Sequence, residues 1–478
     1  MVAAHAATRP SRMTALPLKG PLMTAHRRLL FAAVLSCLPL GAVTADAPGS
    51  IHAGADQVSV LDCARLLDPA AGRMLGETTL VVENGHIKEI HAGTLDTGPY
   101  RKAADAAGKS FQYIKMIDAT CMPGLIDSHV HLTMQFSKST YSDQFRLNPA
   151  DYAIQSTVYA KRTLLAGFTT VRNLGDSNNE SIALRNAVNA GLVPGPHIFS
   201  AGQFIGSTGG HADPTDGYRW DLQGDPSPKD GIINSPADAW KAVRQHYKDG
   251  ADLIKIMPSG GVLDESSSSE NPQMTLDEIK AVVAAAHDYG FTVAAHAHGA
   301  EAIRRAVLGG VDSIEHGTFM NAQDMKLMKE HGTWYVPTII AGQFVMGKAK
   351  EGWYPPQVAR KAEEVGPVIM ATAGKAYKAG VKIAFGTDAG VYPHGENAKE
   401  FEYMVQAGMP PMFVLQAATM HAAELLHKQD QFGRIAVGRG ADVIAVPGNP
   451  LDDITVMQHV SFVMKDGVVY KEGGKATL

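Results

Sequence analysis

The chain has 478 residues, of which 45% are hydrophobic and 19% charged, and it contains 48 glycines. This composition allows a sizeable buried core and excludes both a disordered chain and a collagen-like repeat. Lys and Arg number 43 against 48 Asp and Glu, and neither sign forms a long run, so the sequence has no electrostatic footprint for nucleic acid. We expect a small-molecule partner instead. The 19 histidines are the unusual feature, because imidazole is a common metal ligand and carries protons near neutral pH.

The N-terminal segment has the pattern of a secretory signal peptide. Arg27 and Arg28 precede an apolar run over 29–40, and small residues at 43–45 supply a cleavage site. The apolar run is too short for a transmembrane helix, which needs about 20 residues. We therefore predict a signal peptide over 1–45 and a periplasmic or secreted mature protein without a membrane span.

Three alternatives at the N-terminus stay open. Met23 offers a second start, which would place the two arginines near the beginning of the chain. Cys37 lies in a stretch that loosely resembles a lipoprotein cleavage site, and the apolar run could instead form a buried helix. None of these alternatives bears on the residues after position 55.

Two cysteines remain once the signal peptide is removed. An exported protein can join Cys63 and Cys121 in a disulfide, and the alternative is two buried thiols. Both cysteines lie outside the histidine motifs described below, so we do not predict them as metal ligands.

Strand patterns occur at both ends of the mature chain. Asn84-Gly85 and Asp466-Gly467 each separate two apolar stretches, which is typical of a hairpin with a tight two-residue turn. Neither end contains enough strands to be stable alone. We therefore predict one discontinuous β-sandwich domain built from residues 55–120 and 431–478.

Between these ends, residues 121–430 alternate strand and helix patterns. Helices are predicted over 151–166, 236–248 and 275–289. The predicted strands are 124–131, 169–174, 197–201, 253–257, 292–296, 313–316, 334–339 and 382–387. Eight strands are the number that a closed parallel barrel requires, so the predicted fold class is α/β, a (β/α)8 TIM barrel with the small sandwich domain. A doubly wound sheet is the structural alternative.

Polar residues that are costly to bury lie at or near the C-terminal ends of five of these strands, which is where the active site of a barrel enzyme is located. The residues are His129, His131, Lys255, His296, His298, His316 and Asp388. Each histidine alone is most often a core residue bonded to a backbone carbonyl, and a lone buried ammonium such as that of Lys255 would be expensive. Together they converge on one point if the barrel forms. Nitrogen and oxygen ligands of this kind suit Zn²⁺ or a related divalent ion.

The motifs in this order resemble those of the metal-dependent amidohydrolase superfamily. They are PGLIDSHVH at 123–131, ADLIK at 251–255, VAAHAHG at 293–299, SIEHG at 313–317, GTD at 386–388, GADV at 440–443 and NPL at 449–451. The most similar branch is the imidazolonepropionase-like one, which includes Xaa-Pro dipeptidases, carboxypeptidases and ochratoxin-hydrolysing amidohydrolases. In one departure, Asn173 follows Arg172 where many relatives have Asp, so no role is carried over to position 173.

The resemblance implies a binuclear metal centre and a role for each residue in it. Lys255 would be carboxylated and would bridge two divalent ions, for which we expect Zn²⁺. The ligands would be His129, His131 and Asp388 on one ion, and His296 and His316 on the other. Asp388 can also orient the attacking water and move its proton to the leaving nitrogen. His298 is predicted to hydrogen-bond the oxyanion, with a supporting structural histidine as the alternative.

Substrate-binding candidates lie in the long loop after the third predicted strand. His211 is the first of them, and Tyr218 and Arg219 follow in the same loop. Any of the three can bind a substrate carboxylate, while a structural role for His211 and plain surface exposure for the other two stay open.

We therefore predict an exported hydrolase of amide or peptide bonds that releases a C-terminal amino acid and forms a homo-oligomer. One rival is a mononuclear deaminase or cyclic amidase on the same barrel, which would not need Lys255. The other rival is an exported binding protein without turnover, which would usually have lost one of the metal ligands.

Overall fold

The computed structural model describes residues 56–265 and 268–478, so the predicted signal peptide lies outside the described residues. In this part of the chain helices and strands alternate, as expected for an α/β protein. Among the described residues, no helix combines the length and the apolar character that crossing a bilayer requires.

The strands are numbered in chain order. They are β1 (Gln57–Asp68), β2 (Arg73–Leu75), β3 (Thr78–Glu83), β4 (His86–Ala92), β5 (Ser110–Pro123), β6 (Leu125–Val130), β7 (Phe168–Asn173), β8 (His197–Ser200), β9 (Ile254–Ile256), β10 (Val293–Ala297), β11 (Ser313–His316), β12 (Trp334–Val336), β13 (Val443–Pro447), β14 (Phe462–Lys465), β15 (Val468–Glu472) and β16 (Lys475–Ala476).

The α-helices are numbered in the same way. They are α1 (Gly98–Ala106), α2 (Thr140–Asp143), α3 (Pro149–Leu165), α4 (Glu180–Asn189), α5 (Pro236–Asp249), α6 (Leu276–Asp288), α7 (Ala300–Gly309), α8 (Ala322–His331), α9 (Ile339–Lys350), α10 (Pro356–Ala379), α11 (Lys399–Gln406), α12 (Pro411–Gln416) and α13 (Ala422–Leu425). Short 3-10 helices cover Trp220–Leu222, Pro228–Asp230 and Ile454–His459, and a π-helical turn covers Ala417–His421.

Both ends of the described chain contribute to one mixed sheet. Its strand order is β16-β15-β14-β13-β5-β1-β3-β4, with β2 paired to β1. Strand β5 joins the two halves, because it pairs with β1 in parallel and with β13 in antiparallel orientation. Both predicted hairpins are confirmed, and the turn residues Asn84-Gly85 and Asp466-Gly467 have the positive φ angles that such turns need. A separate sandwich of two packed sheets stays a prediction.

The two remaining cysteines form a disulfide across this sheet. Cys63 of β1 and Cys121 of β5 are fully buried, and their Cα atoms lie 5.9 Å apart. They lie in a cluster of apolar side chains that includes Leu61, Leu80 and Phe462. Of the two alternatives for the cysteines, the structure contains the disulfide rather than two thiols.

The middle of the chain contains two parallel sheets. Strands β6, β7 and β8 form the first, and β9, β10, β11 and β12 form the second. A parallel bridge from Ile205 to Ile256 connects the segment after β8 with β9. Seven of the predicted strands are therefore observed in the predicted order.

The prediction of a regular strand over 382–387 is wrong. This segment makes isolated bridges, one to β12 at Ile383 and one just beyond the segment to β6 at Ala389. Between them Asp388 has a φ angle of 62°, in the left-handed region, which an extended strand cannot contain. The segment over 382–387 also contacts the π-helical turn before α13, because the backbone N–H of Phe385 donates a hydrogen bond to the carbonyl of Ala417.

Helices cover the parallel strands and bury the main apolar core. Helix α6 illustrates why they form where the sequence predicts them. Thr275 caps its N-terminus and forms the predicted capping box with Glu278, and Ile279, Val282 and Val283 bury the apolar face. The helix faces and strand ends together leave a cavity, which contains the predicted site residues.

Candidate metal centre

The structure brings the polar residues at the strand ends to one cavity of about 450 Å³. The predicted residues at or near the strand ends all line it, and they are His129, His131, Lys255, His296, His298, His316 and Asp388. All of them are at least nine-tenths buried. The convergence expected from the strand ends therefore occurs, although one of the contributing segments is not a regular strand.

One group within the cavity could hold a metal ion, and it consists of His129, His316 and Asp388. Each offers one ligand atom, and these atoms lie within 4.8 Å of one another. The Nε2 atoms of His129 and His131 lie 3.4 and 3.2 Å from Oδ1 of Asp388. Two imidazoles and a carboxylate at these separations fit a divalent cation.

Each of four cavity histidines is held through its Nδ1 atom. The Nδ1 contacts are His129 to Glu315 Oε2 at 2.9 Å, His131 to the Gly175 carbonyl at 2.9 Å, His298 to Thr318 Oγ1 at 2.8 Å and His316 to Thr338 Oγ1 at 2.8 Å. A partner on Nδ1 fixes the ring orientation and leaves Nε2 for a ligand or a substrate.

A buried ion pair supports this arrangement. Glu315 accepts from His129 and from Arg172 Nη2 at 2.8 Å, and both Glu315 and Arg172 are almost fully buried. Burial acts to raise the pKa of Glu315, but Arg172 and His129 outweigh it and lower the pKa to about 2. Removing one partner of such a pair costs about 3–5 kcal/mol, because the other charge stays buried. The pair therefore holds His129 and binds β7 to β11.

Burial controls the protonation of the other cavity residues. It lowers the pKa of His129 to about 4, that of His298 to about 3 and that of Lys255 to about 8. Neutral imidazole is the form that binds metals, so the environment of the histidines suits ligation. Burial acts to raise the pKa of Asp388, but His129 and His131 lower it, which keeps this carboxylate charged.

Two site residues have unusual backbone conformations. His316 and Asp388 have φ angles of 69° and 62°, and Thr338, which holds His316, has a φ angle of 50°. Left-handed conformations are uncommon in residues with side chains and concentrate at functional sites. They are fixed here by hydrogen bonds to the backbone, from Tyr335 Oη to the carbonyl of His316 and from the N–H of Asp388 to the carbonyl of His129. The sequence contains no signal for these conformations.

His296 faces a different wall of the cavity. Its ring centroid lies 4.7 Å from that of His316, and its Nε2 lies 3.1 Å from the carbonyl oxygen of Gly260. The centroid of the His211 ring lies 4.5 Å from that of the His296 ring. A backbone carbonyl thus occupies His296 Nε2 in this structure, and the predicted role of His296 as a ligand of a second ion stays a prediction.

The structure places two of the three loop candidates for substrate binding in the cavity and the third outside it. His211 and Tyr218 line the cavity, and the Tyr218 ring packs against Phe145 at a centroid distance of 4.8 Å. Arg219 is exposed, is paired with Asp221 and is not among the cavity residues, so its role stays a prediction that the structure does not favour. At position 173, where many relatives have Asp, the Asn173 side chain is buried. Its Oδ1 accepts a hydrogen bond from the backbone N–H of Leu132 at 2.7 Å.

Sequence reasoning missed a second buried ion pair beside the cavity. Lys361 of α10 lies 2.6 Å from Asp264, and Oδ2 of Asp264 lies 2.7 Å from Nδ1 of His211. A lysine in the apolar stripe of a helix was the one signal available, because Val358, Ala362 and Val365 flank Lys361 on the buried face.

The family assignment follows from comparison with known proteins. The model of the amidohydrolase family matches residues 120–470, and the chain belongs to that family. Ochratoxinase from Aspergillus niger is 32% identical over 371 residues, which cover 74% of this chain and 76% of that protein.

Solved structures give the same assignment. A crystal structure of a Xaa-Pro dipeptidase with methionine bound in the active site has a TM-score of 0.83 and 46% identity, covering 87% of this chain and 100% of that one. A prolidase complexed with N-methylphosphonate-L-proline has a TM-score of 0.78 and 32% identity, over 87% and 100% of the two chains. The predicted resemblance is confirmed, and the chain is a hydrolase that acts on C–N bonds.

Proposed function

We propose that this protein is a binuclear metal-dependent amidohydrolase that cleaves an amide or peptide bond and releases a C-terminal amino acid. The observation that carries the proposal is the convergence of His129, His131, His316 and Asp388 in one cavity with the buried Lys255. The similar proteins act on compatible bonds according to their names, which are ochratoxinase, Xaa-Pro dipeptidase and prolidase.

We also propose that the two parallel sheets close into a (β/α)8 barrel over 121–430. The bridge from Ile205 to Ile256 and the bridges at Ile383 and Ala389 support this closure, because they connect the outer strands of the two sheets on both sides. The sheet built from both chain ends would then be the small domain beside the barrel.

The proposed ligands divide between two divalent ions, for which we propose Zn²⁺. His129, His131 and Asp388 would hold one ion, and His296 and His316 the other, with carboxylated Lys255 between them. When bound, the ions would polarise the scissile carbonyl and lower the pKa of a water molecule toward 7.

The residues of the chain perform the proton transfers and the orientation of the substrate. Asp388 accepts a proton from the attacking water and delivers it to the leaving nitrogen as the C–N bond breaks. His298 Nδ1 lies 2.8 Å from Thr318 Oγ1. In the tautomer in which this hydroxyl donates to Nδ1, Nε2 carries the hydrogen and donates to the oxyanion that forms at the carbonyl. Both side chains line the cavity in which the substrate must bind.

The rest of the cavity indicates the substrate class. An apolar wall is formed by side chains of α9, α10 and the segment after Asp388, which are Ala341, Val345, Val365, Ile369 and Val391. His211 and Tyr218 line the same cavity and offer polar groups to the carboxylate of the released amino acid. We propose N-acyl and N-aminoacyl amino acids as substrates, with proline, phenylalanine or another apolar residue released, and ochratoxin-type amides among them.

A panel of matched substrates tests this proposal. Each N-acyl amino acid, dipeptide and ochratoxin-like amide is assayed with its carboxylate free and with the same carboxylate blocked as an amide, and lactams and cyclic imides are assayed beside them. We expect blocking to lower kcat/KM about 10-fold to over 100-fold, because one charge-assisted hydrogen bond contributes about 1.5–3 kcal/mol. Equal rates for the blocked and free forms, or fastest turnover of lactams and cyclic imides, would replace this proposal with a cyclic amidase.

Export to the periplasm or the medium is proposed separately. The pattern at 27–45 and the disulfide between Cys63 and Cys121 support it, because structural disulfides persist in oxidising compartments. N-terminal sequencing of the native protein is expected to give a start near Asp46, whereas a start at Met1 or Met23 would contradict export. Homo-oligomer formation stays a prediction.

A further inference from the structure

A buried lysine holds one wall of the cavity from outside the metal centre. Lys361 is about 1% exposed, and its Nζ lies 2.8 Å from the Gly261 carbonyl, 2.9 Å from the Asp264 carbonyl and 2.6 Å from Oδ1 of Asp264. An ammonium buried at this depth is tolerated only when it is paired and hydrogen-bonded. The contacts fix the loop after β9 to helix α10.

The same loop supports His211. Oδ2 of Asp264 lies 2.7 Å from Nδ1 of His211, so the carboxylate makes a short electrostatic contact with the ring while its other oxygen faces Lys361. Gly261 provides the space for the ring, because a Cβ atom at this position would lie only 2.1 Å from Cε1 of His211. Loop and histidine therefore fit together as one unit.

This unit lies directly beside the proposed reaction site. His211, Asp264 and the neighbouring Val262 line the cavity, and the His211 ring is 4.5 Å from that of His296. The carbonyl of Gly260, in the same loop, is the group that faces His296 Nε2. A shift of the loop would move His211 relative to a bound substrate.

We propose that Lys361 and Asp264 are positioning residues that hold His211 against the carboxylate of the substrate, an inference that rests on the proposed function. Lys361 is not among the residues that line the cavity, and the two carboxylate oxygens of Asp264 face Lys361 and His211. Their effect is on the recognition of the released amino acid rather than on bond cleavage.

The test compares a free-acid substrate with its carboxyl-blocked amide in Lys361→Met. We expect KM for the free acid to rise about 10-fold, with kcat within about threefold, and little change for the blocked amide. The number of bound metal ions is expected to equal that of the wild type. Lys375→Met is the matched control, because Lys375 is an exposed lysine on the same helix, and it should behave as the wild type.

Two further variants make the test decisive. Asp264→Asn breaks the same link without removing Lys361 and should give the same KM effect, and it decides the question if Lys361→Met does not fold. Gly261→Ala displaces the His211 ring directly, and its KM shows the effect of a displaced His211 with which the other variants are compared. Unchanged KM in Lys361→Met or Gly261→Ala would overturn the proposal, as would loss of folding or of metal in both Lys361→Met and Asp264→Asn.

The wild-type substrate comparison separates this inference from the proposed function. If the wild type does not prefer the free acid, the proposed function fails. If the wild type prefers the free acid and Lys361→Met keeps the full preference, the positioning role alone fails.

Discussion

Lys255→Ala is expected to lose at least about 10³-fold in kcat, which corresponds to about 4 kcal/mol of the activation barrier. Lys255 is about 1% exposed and lies in the same cavity as the histidine ligands and Asp388. An uncompensated ammonium at this place would be costly, whereas a carboxylated lysine would supply a carboxylate to two cations. Steady-state kinetics on one amide substrate, with bound metal measured on the same sample, checks the prediction.

Chemical rescue makes this prediction specific. Truncation to alanine leaves space for a small acid, so acetate or propionate should restore part of the activity of Lys255→Ala, and added bicarbonate alone should not. Lys326→Ala serves as the control, because this lysine is exposed on α8. Near wild-type turnover with two bound metal ions in Lys255→Ala would show that the lysine is not the bridge.

Asp388→Asn is expected to lose about 10²-fold to 10⁴-fold in kcat, the usual contribution of a positioned general acid or base. Its carboxylate stays charged in the cavity, since His129 and His131 lower its pKa although burial acts to raise it. Asparagine has nearly the same shape but cannot accept the proton of water. The expected signature is a low kcat with a small change in KM.

Bound metal must be measured with this variant, because Asp388 is both a proposed ligand and a proposed proton carrier. If excess metal restores full occupancy of Asp388→Asn but not the rate, the proton-transfer role stands. If restored occupancy also restores the rate, Asp388 acts only as a ligand. Asp288→Asn, an exposed position at the end of α6, provides the matched control for the substitution itself.

Local patterns predicted much of the fold. The Asn84-Gly85 and Asp466-Gly467 turns consist of residue types that favour the positive φ angles observed there. The capping box of Thr275 and Glu278 likewise marks the start of α6. The segment over 382–387 could not be predicted correctly in the same way. Within it only Ile383 makes a β-bridge, and the segment's backbone partners Tyr335 and Ala417 are distant in the sequence, so no local pattern specifies them.

The candidate site was predictable where residues share one strand and not where distant segments meet. The predicted strand over 124–131 contains His129 and His131 two residues apart, so the sequence places them on one face, although β6 itself ends at Val130. Arg172 and Glu315 are 143 residues apart, and Asp264 and Lys361 are 97 residues apart. No local pattern relates such pairs, and only the packing of the strands and helices brings them together.

Metal reconstitution of the chelated protein tests the central claim most directly. The metal-free enzyme is titrated with Zn²⁺ in the presence of bicarbonate, and hydrolysis of one N-acyl amino acid is measured against the number of ions bound per chain. The binuclear hydrolase predicts negligible activity without metal and a rise that saturates at two ions per chain. Saturation at one ion would indicate the mononuclear deaminase-like site, and full activity without metal, or two bound ions without turnover of any amide, would contradict the account.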